Sequence, residues 1–349
     1  MLFLRLILIP ISLAYALVIS IKNLCYRIGI YRSTEFDIPI ICVGNLSFGG
    51  TGKTPHIEYI IRLLSDHFKV AVLSRGYRRK TKGYVFADDQ TNASLIGDEP
   101  FQIKNKFKDI AVAVCESRVF GVPELLGDAP ETQVILMDDG FQHRAIKAGL
   151  NILLTDYSRL FYKDHTAPSG TLREFRSAYK RAQIIIVTKC PENLSASIRQ
   201  EIILNIAPLR SQKVFFSFQT YDEPVGVFDQ EYTIDKNADV LLFAGIASTY
   251  SLEEHLRKEF KSVSAVRFAD HKAYSEISLN AIKDKFQKIE SENKIIITTE
   301  KDAVKLRTPE FASILAGIPI FYQPMKIAFF ESNQSEFNTQ IINYVTQTN

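Results

Sequence analysis

The chain has 349 residues, 46% of them hydrophobic, with 42 Lys and Arg against 39 Asp and Glu for a formal charge of +3. That length exceeds a typical single core, so two domains are expected, and so mild a charge excludes a dedicated nucleic-acid binder. Four scattered cysteines, with no C-x-x-C and no histidine at metal spacing, predict reduced thiols in a cytosolic setting.

Residues 1–33 open the chain with an apolar stretch. Met1 to Ile21 carries one charge, Arg5, and Lys22, Arg27 and Arg32 follow. The apolar run of about 16 residues is shorter than the roughly 20 that span a bilayer, and Pro10 interrupts it. The expectation is a helix that dips into the membrane between basic flanks, with a transmembrane anchor as its main competitor. A signal peptide is a further reading, because Ala14-Tyr15-Ala16 mimics a cleavage site, and a buried core helix is another. The cleavage site falls inside the apolar run, however, and the next motif requires ATP.

That motif begins at the short apolar strand Ile38–Val43 and continues through Gly44-Asn45-Leu46 into Ser47-Phe48-Gly49-Gly50-Thr51-Gly52-Lys53-Thr54. Glycines let the backbone come close to a phosphate, and loop N–H groups can point at it. Lys53 can reach the β- and γ-phosphates, and the Thr54 hydroxyl can ligate Mg²⁺. Ser47 departs from G-x-x-x-x-G-K-[ST], which has glycine there. The strand before the loop and the helix-spaced apolar residues Ile57, Ile60, Ile61 and Leu64 after it favour a phosphate loop over a simple Gly-rich turn.

Further apolar runs at Val70–Leu73, Ile110–Val114, Val134–Met137, Ile152–Leu154 and Ile184–Val187 read as buried parallel strands, with room between them for crossover helices. The expected fold is therefore α/β: a phosphate-loop NTPase-like, doubly wound and mostly parallel sheet over residues 34–213. Residues 214–225 and the segment from 319 read as two linker strands flanking a smaller α/β domain at 226–318. Residues 319–349 are expected to return to the first domain, making the linker pair a hinge candidate.

Several polar clusters fall at strand ends, where an open α/β sheet binds its ligands. Asp138 and Asp139 close the strand Val134–Met137, the form of a metal-holding Walker B element. Gly140-Phe141-Gln142-His143-Arg144 continues that loop toward the γ-phosphate. Asp98, in Gly97-Asp98-Glu99-Pro100, could serve a kinase as base; taken alone it reads first as a turn or helix cap. Asp270-His271 reads first as a structural pair. Ser74-Arg75-Gly76-Tyr77-Arg78-Arg79-Lys80 is a solvated basic loop or a partner for an anionic lipid headgroup. Arg173, in Gly170-Thr171-Leu172-Arg173-Glu174, is a possible bidentate phosphate ligand. Thr188-Lys189-Cys190-Pro191 has proline where a guanine-reading aspartate would sit, which favours ATP over GTP.

Taken in this order, the motifs resemble the tetraacyldisaccharide 4′-kinase family over most of the chain. The marks are Val43–Pro55, Leu73–Tyr77, Gly97–Pro100, Asp138–His143, Gly170–Glu174, Phe243–Ala247, Phe268–His271 and Thr299–Asp302. The resemblance implies transfer of the ATP γ-phosphate to the 4′-hydroxyl of a lipid A disaccharide 1-phosphate precursor, at the cytoplasmic face of the inner membrane. It also implies that Asp98 is the catalytic base, supported by His271 from the second domain. Tyr77-Arg78-Arg79 and Lys272 depart from the family's pattern and bear on headgroup recognition.

The expected mechanism has Lys53 and the loop N–H groups on the phosphates, with Thr54 and Asp138 or Asp139 on Mg²⁺. Asp98 takes the sugar proton, and Arg118 or Arg173 neutralises the transferred phosphoryl. The expected state is a monomer with no nucleic-acid partner. The competing classes are a membrane-tethered nucleotide switch or metallochaperone-type NTPase, and a soluble small-molecule kinase or ATP-dependent ligase.

Overall fold

The computed structural model describes residues 2–348 apart from 229–231, 247, 271, 331 and 332, with side chains from residue 8 onward. In chain order its elements are α1 (Leu2–Arg27), β1 (Ile40–Asn45), α2 (Lys53–Ser65), β2 (Val70–Ser74), β3 (Val85–Phe86), α3 (Ala93–Ile96), α4 (Asp98–Lys106), β4 (Ala111–Val114), α5 (Arg118–Asp128), β5 (Val134–Asp138), β6 (Leu150–Asp156), β7 (Ile184–Thr188), α6 (Ala196–Ile206) and β8 (Lys213–Tyr221). There follow β9 (Val225–Gly226), β10 (Asp239–Ala244), α7 (Tyr250–Glu259), β11 (Ser262–Arg267), α8 (Glu276–Gln287), β12 (Lys294–Thr299), α9 (Glu300–Leu306), α10 (Pro309–Ile314), β13 (Ile320–Gln323), β14 (Met325–Phe329) and α11 (Asn333–Thr348). They group into two compact units, residues 1–218 with 327–349, and residues 219–326.

The larger unit is built on a nine-stranded sheet in the order β14-β8-β7-β6-β1-β5-β2-β4-β3. The strands from β8 to β4 in that order run parallel, and β3 pairs antiparallel at the edge. Every residue of β1 is buried, as a strand with helices on both faces requires. Its side chains alternate between the faces. Ile41 and Val43 join one core with Ile57, Ile60, Ile61 and Leu64 of α2, while Ile40 and Cys42 join a second with Val122 and Leu125 of α5. Successive strand residues point to opposite sides of the sheet, so a continuous apolar run serves two cores.

Two local features fix the working edge of this sheet. A Cβ on Gly44 would lie 2.6 Å from the Phe141 Cβ and 3.1 Å from its amide N, so only glycine lets β1 run under the loop after β5. On α2, Glu58 is 2% exposed and receives Gln102 Nε2 at 2.9 Å and Lys106 Nζ at 2.8 Å from α4. Arg62 Nη2 reaches the same carboxylate at 3.3 Å. A buried carboxylate is tolerated when it is paired and hydrogen-bonded in this way.

The smaller unit carries a five-stranded sheet, β11-β10-β12-β13-β9, parallel except for β9. Leu241, Phe243, Leu279, Ile282 and Ile296 build one of its cores. In the Thr299–Asp302 motif, the Thr299 hydroxyl caps α9 through the Asp302 N–H at 3.1 Å. Asp302 in turn accepts the Gly245 N–H at 2.8 Å, so this motif has a local structural use.

The segments expected as linker strands are strands. Residues 213–221 form β8, registered on β7 from Ile184–Lys213 to Val187–Phe216. Residues 320–323 form β13 of the smaller sheet, and β14 beside β8 begins two residues later. An apolar extended run satisfies its backbone groups by completing a ladder.

Candidate functional site

The phosphate loop runs from the C-terminal end of β1 to the first turn of α2, where free N–H groups and the helix dipole attract an anion. Gly52, the N-cap, has φ 84°, a left-handed conformation that glycine adopts without strain. Inside the loop, Asn45 Nδ2 donates to Thr51 Oγ1 at 2.9 Å, and Thr51 is 1% exposed. Ser47 bridges to Leu172, the Phe48 N–H donates to the Thr171 carbonyl at 2.8 Å, and the Arg173 N–H donates to the Leu46 carbonyl at 2.6 Å. The residue that departs from the common loop pattern thus lies where a second loop, residues 166–174, pairs with the first. Phe48 is 49% exposed, and the Arg173 guanidinium sits 5.3 Å from the centre of its ring.

Lys53, Asp139 and Arg173 form one ionic cluster. Lys53 Nζ is 3.6 Å from Asp139 Oδ1, and Arg173 Nη1 meets both Asp139 oxygens at 3.0 and 3.1 Å. Burial pushes the Asp139 carboxyl up, but Lys53 and Arg173 more than offset this and hold it below the usual carboxylate range. Asp139 has φ 52°, a backbone strain of the kind that collects at functional sites. Asp138 differs: it is 4% exposed, and burial pushes its carboxyl up to about 7 against the pull of Lys53. Its Oδ1 has no hydrogen-bond partner among the described residues. A buried, orphaned carboxylate oxygen beside a phosphate loop suits a small divalent cation, which takes one or two carboxylates and keeps water and phosphate for the rest. Among the described residues, no group of three or more His, Cys, Asp and Glu forms an all-protein cage.

Asp98 opens α4, is half-buried, and follows Gly97 with φ 94°. Because α4 leads into parallel β4, its N-terminus lies at the same sheet edge as the phosphate loop. Arg118, 2% exposed, donates to the carbonyls of Cys115 and Glu116 at 3.4 Å and of Asp138 at 3.2 Å. Its guanidinium is engaged with main chain while its charge acts on both aspartates. His143 Nε2 accepts the Arg118 N–H at 3.3 Å. Of the residues expected from the sequence, the structure gathers Lys53, Thr54, Asp138, Asp139 and Arg173 at one edge, with Asp98 and Arg118 on neighbouring elements. His271 lies outside the described residues.

The helix α1 touches this site through its polar residues. Tyr15 Oη donates to the Arg173 carbonyl at 3.0 Å, and Asn23 Nδ2 to Glu174 Oε2 at 2.9 Å. Ser12 Oγ accepts the Ser169 N–H at 2.8 Å. Glu174 also receives Gln142 Nε2 at 3.1 Å and Arg181 Nη2 at 2.7 Å. Sequence reasoning missed Asn45, Asp156 and Lys189 as loop-holding residues. The one available signal was the polarity of Asn45 within a buried strand.

One buried and one half-buried histidine set the pH response of this unit. His56 is enclosed between the Gly52 carbonyl at 2.7 Å and Ser217 Oγ at 3.0 Å, and burial pushes its imidazole down to about 4; His143 is lowered similarly, burial first and Arg118 second. From about pH 6.5 to 4 the unfolded chain binds protons at both that the folded chain refuses, so stability falls on acidification. Asp138, raised to about 7, acts oppositely, since the folded chain holds its proton more tightly. Two groups against one leave a net loss. For His56 alone the full effect is roughly 3 kcal/mol. Between pH 7 and 5 about 2 kcal/mol of that is expressed, so the urea midpoint should be lower at pH 5, and His56→Gln should remove most of the difference; an unchanged difference in the variant would refute the assignment.

A strand–loop–helix phosphate cradle with a lysine at its helix start and paired aspartates on the next parallel strand defines a phosphate-loop phosphotransferase. Residues 4–346 match the family model for tetraacyldisaccharide-1-P 4′-kinase, and the chain belongs to that family. Tetraacyldisaccharide 4′-kinase of Flavobacterium johnsoniae is 44% identical over 99% of this chain and 98% of its own length. The Bacteroides thetaiotaomicron protein of the same name is 42% identical over 97% and 92%. The crystal structure of an "apo" form of LpxK from Aquifex aeolicus in complex with ATP matches with a TM-score of 0.74 at 26% identity, covering 98% of this chain and 99% of that one.

Proposed function

We propose that the chain transfers the γ-phosphate of ATP to the 4′-hydroxyl of a tetraacyldisaccharide 1-phosphate in lipid A biosynthesis. The observation that carries this reading is the Lys53–Asp139–Arg173 cluster at the mouth of the phosphate loop, in a chain that belongs to the kinase family along nearly its whole length. In the proposed mechanism, Lys53 and the loop N–H groups bind the triphosphate. Its arrival draws Lys53 and Arg173 from Asp139 onto phosphate oxygens. Thr54 with Asp138 or Asp139 would hold Mg²⁺, which supplies charge neutralisation at the phosphates. Arg173 is better suited than Arg118 to meet the transferred phosphoryl, because Arg118 already donates to three carbonyls. Arg118 instead braces the loop of Asp138.

Asp98 accepts the proton of the sugar hydroxyl as the new P–O bond forms, with His271 as its supporting partner. The helix α1 carries the chain to the cytoplasmic face of the inner membrane as a single subunit. Its window Leu8–Arg27 has mean hydropathy 1.8, long and apolar enough to cross a membrane. Ile11, Leu13, Leu17, Val18 and Ile21 are more than half exposed on it, a surface that lipid would cover. The test is incubation of the purified protein with γ-labelled ATP and the lipid precursor, followed by lipid chromatography. A labelled bisphosphorylated lipid is expected; nucleotide hydrolysis without a lipid product would overturn the reading.

A further inference from the structure

The phosphate loop is held from behind by the end of β7. Lys189 Nζ donates to the Gly50 carbonyl at 2.5 Å and to Asp156 Oδ2 at 2.8 Å. The neighbouring Thr188 Oγ1 donates to the Thr51 carbonyl at 2.9 Å. Lys189 has φ 55°, a left-handed conformation that a lysine keeps only when its surroundings over-determine it. Asp156 accepts the Ser158 N–H at 2.9 Å and the Ser158 hydroxyl at 2.6 Å, so the carboxylate that orients Lys189 is itself fixed. Burial pushes that carboxyl up, but Lys189 and Ser158 outweigh it and keep it below the usual range.

A trans peptide sets its C=O and the following N–H on opposite sides. Tying the carbonyls of Gly50 and Thr51 to one strand end therefore turns the N–H groups of Thr51 and Gly52 the other way. Two successive N–H groups aimed in one direction form a concavity that binds anions. This motif looked in sequence like a nucleotide-base reader that had lost its aspartate. We propose instead that Lys189 is a positioning residue of the nucleotide loop, holding the Gly50 carbonyl back so that the cradle is preset for the ATP phosphates. The proposal rests on the loop being a nucleotide site, not on the identity of the lipid.

Its test is direct ATP binding by calorimetry, with steady-state kinetics alongside, on Lys189→Met, Lys189→Arg and Asp156→Asn. Lys189→Met keeps the apolar stem and removes the donor. ATP affinity should fall about tenfold and KM for ATP should rise equally. The value of kcat and KM for the lipid should stay within about twofold, and Lys189→Arg should recover much of the loss. Asp156→Asn should shift ATP affinity in the same direction by a smaller factor, and decides the matter if Lys189→Met does not fold. Unchanged ATP affinity in the folded variants would overturn the proposal, as would a parallel loss in both KM values. A wild-type protein that binds ATP but makes no lipid product would sink the proposed function and leave this test intact.

Discussion

Lys53→Ala should lower kcat/KM for phosphoryl transfer by roughly 10³-fold, because it removes a preorganised cation from the path of the transferred charge. Lys53 is the first residue of α2 and stands 3.6 Å from Asp139. In the variant, Arg173 is the cation still hydrogen-bonded to Asp139, so the Asp139–Arg173 pair should close over the emptied cradle. The fold should be unaffected. Asp139 is the more exposed partner, at 32%, and it keeps its two hydrogen bonds to Arg173, so no carboxylate is left unpaired. Labelled-ATP assays with melting curves on the same preparation check both parts. Activity within tenfold of wild type would remove Lys53 from the phosphate site.

Asp98→Asn is the second large expectation. An asparagine of the same shape can still cap α4 but cannot accept a proton, so turnover should fall by about 10² to 10⁴-fold. ATP affinity should be preserved. Near-normal turnover would return Asp98 to the capping role that its position at the start of α4 also permits.

The phosphate loop was legible in the sequence because its chemistry is local. Strand, glycines, lysine and helix follow one another within residues 38–64, and each residue type has its own reason to be there. The same holds for Asp138 and Asp139 at the end of an apolar strand. The pairings across distance were not legible. Lys189 and Gly50 are separated by 139 positions, and nothing in either segment announces the other; the parallel registers of β1 on β6 and of β6 on β7 bring them together. Residues 214–225 read as an extended strand, but such a run carries no mark of its neighbour in the sheet, and β8 is fixed by β7 beside it. Arg118 shows only its charge in the sequence, and packing reveals that both its terminal nitrogens donate to carbonyls.

The brace at Glu58 bears on how steady the reaction gap is. One enclosed carboxylate fastens the bodies of α2 and α4, and the first residues of these helices are Lys53 and Asp98. Lys53 and the proposed base thus head two helices pinned together by one buried carboxylate, so a substitution at Glu58 should disturb their spacing without touching either side chain.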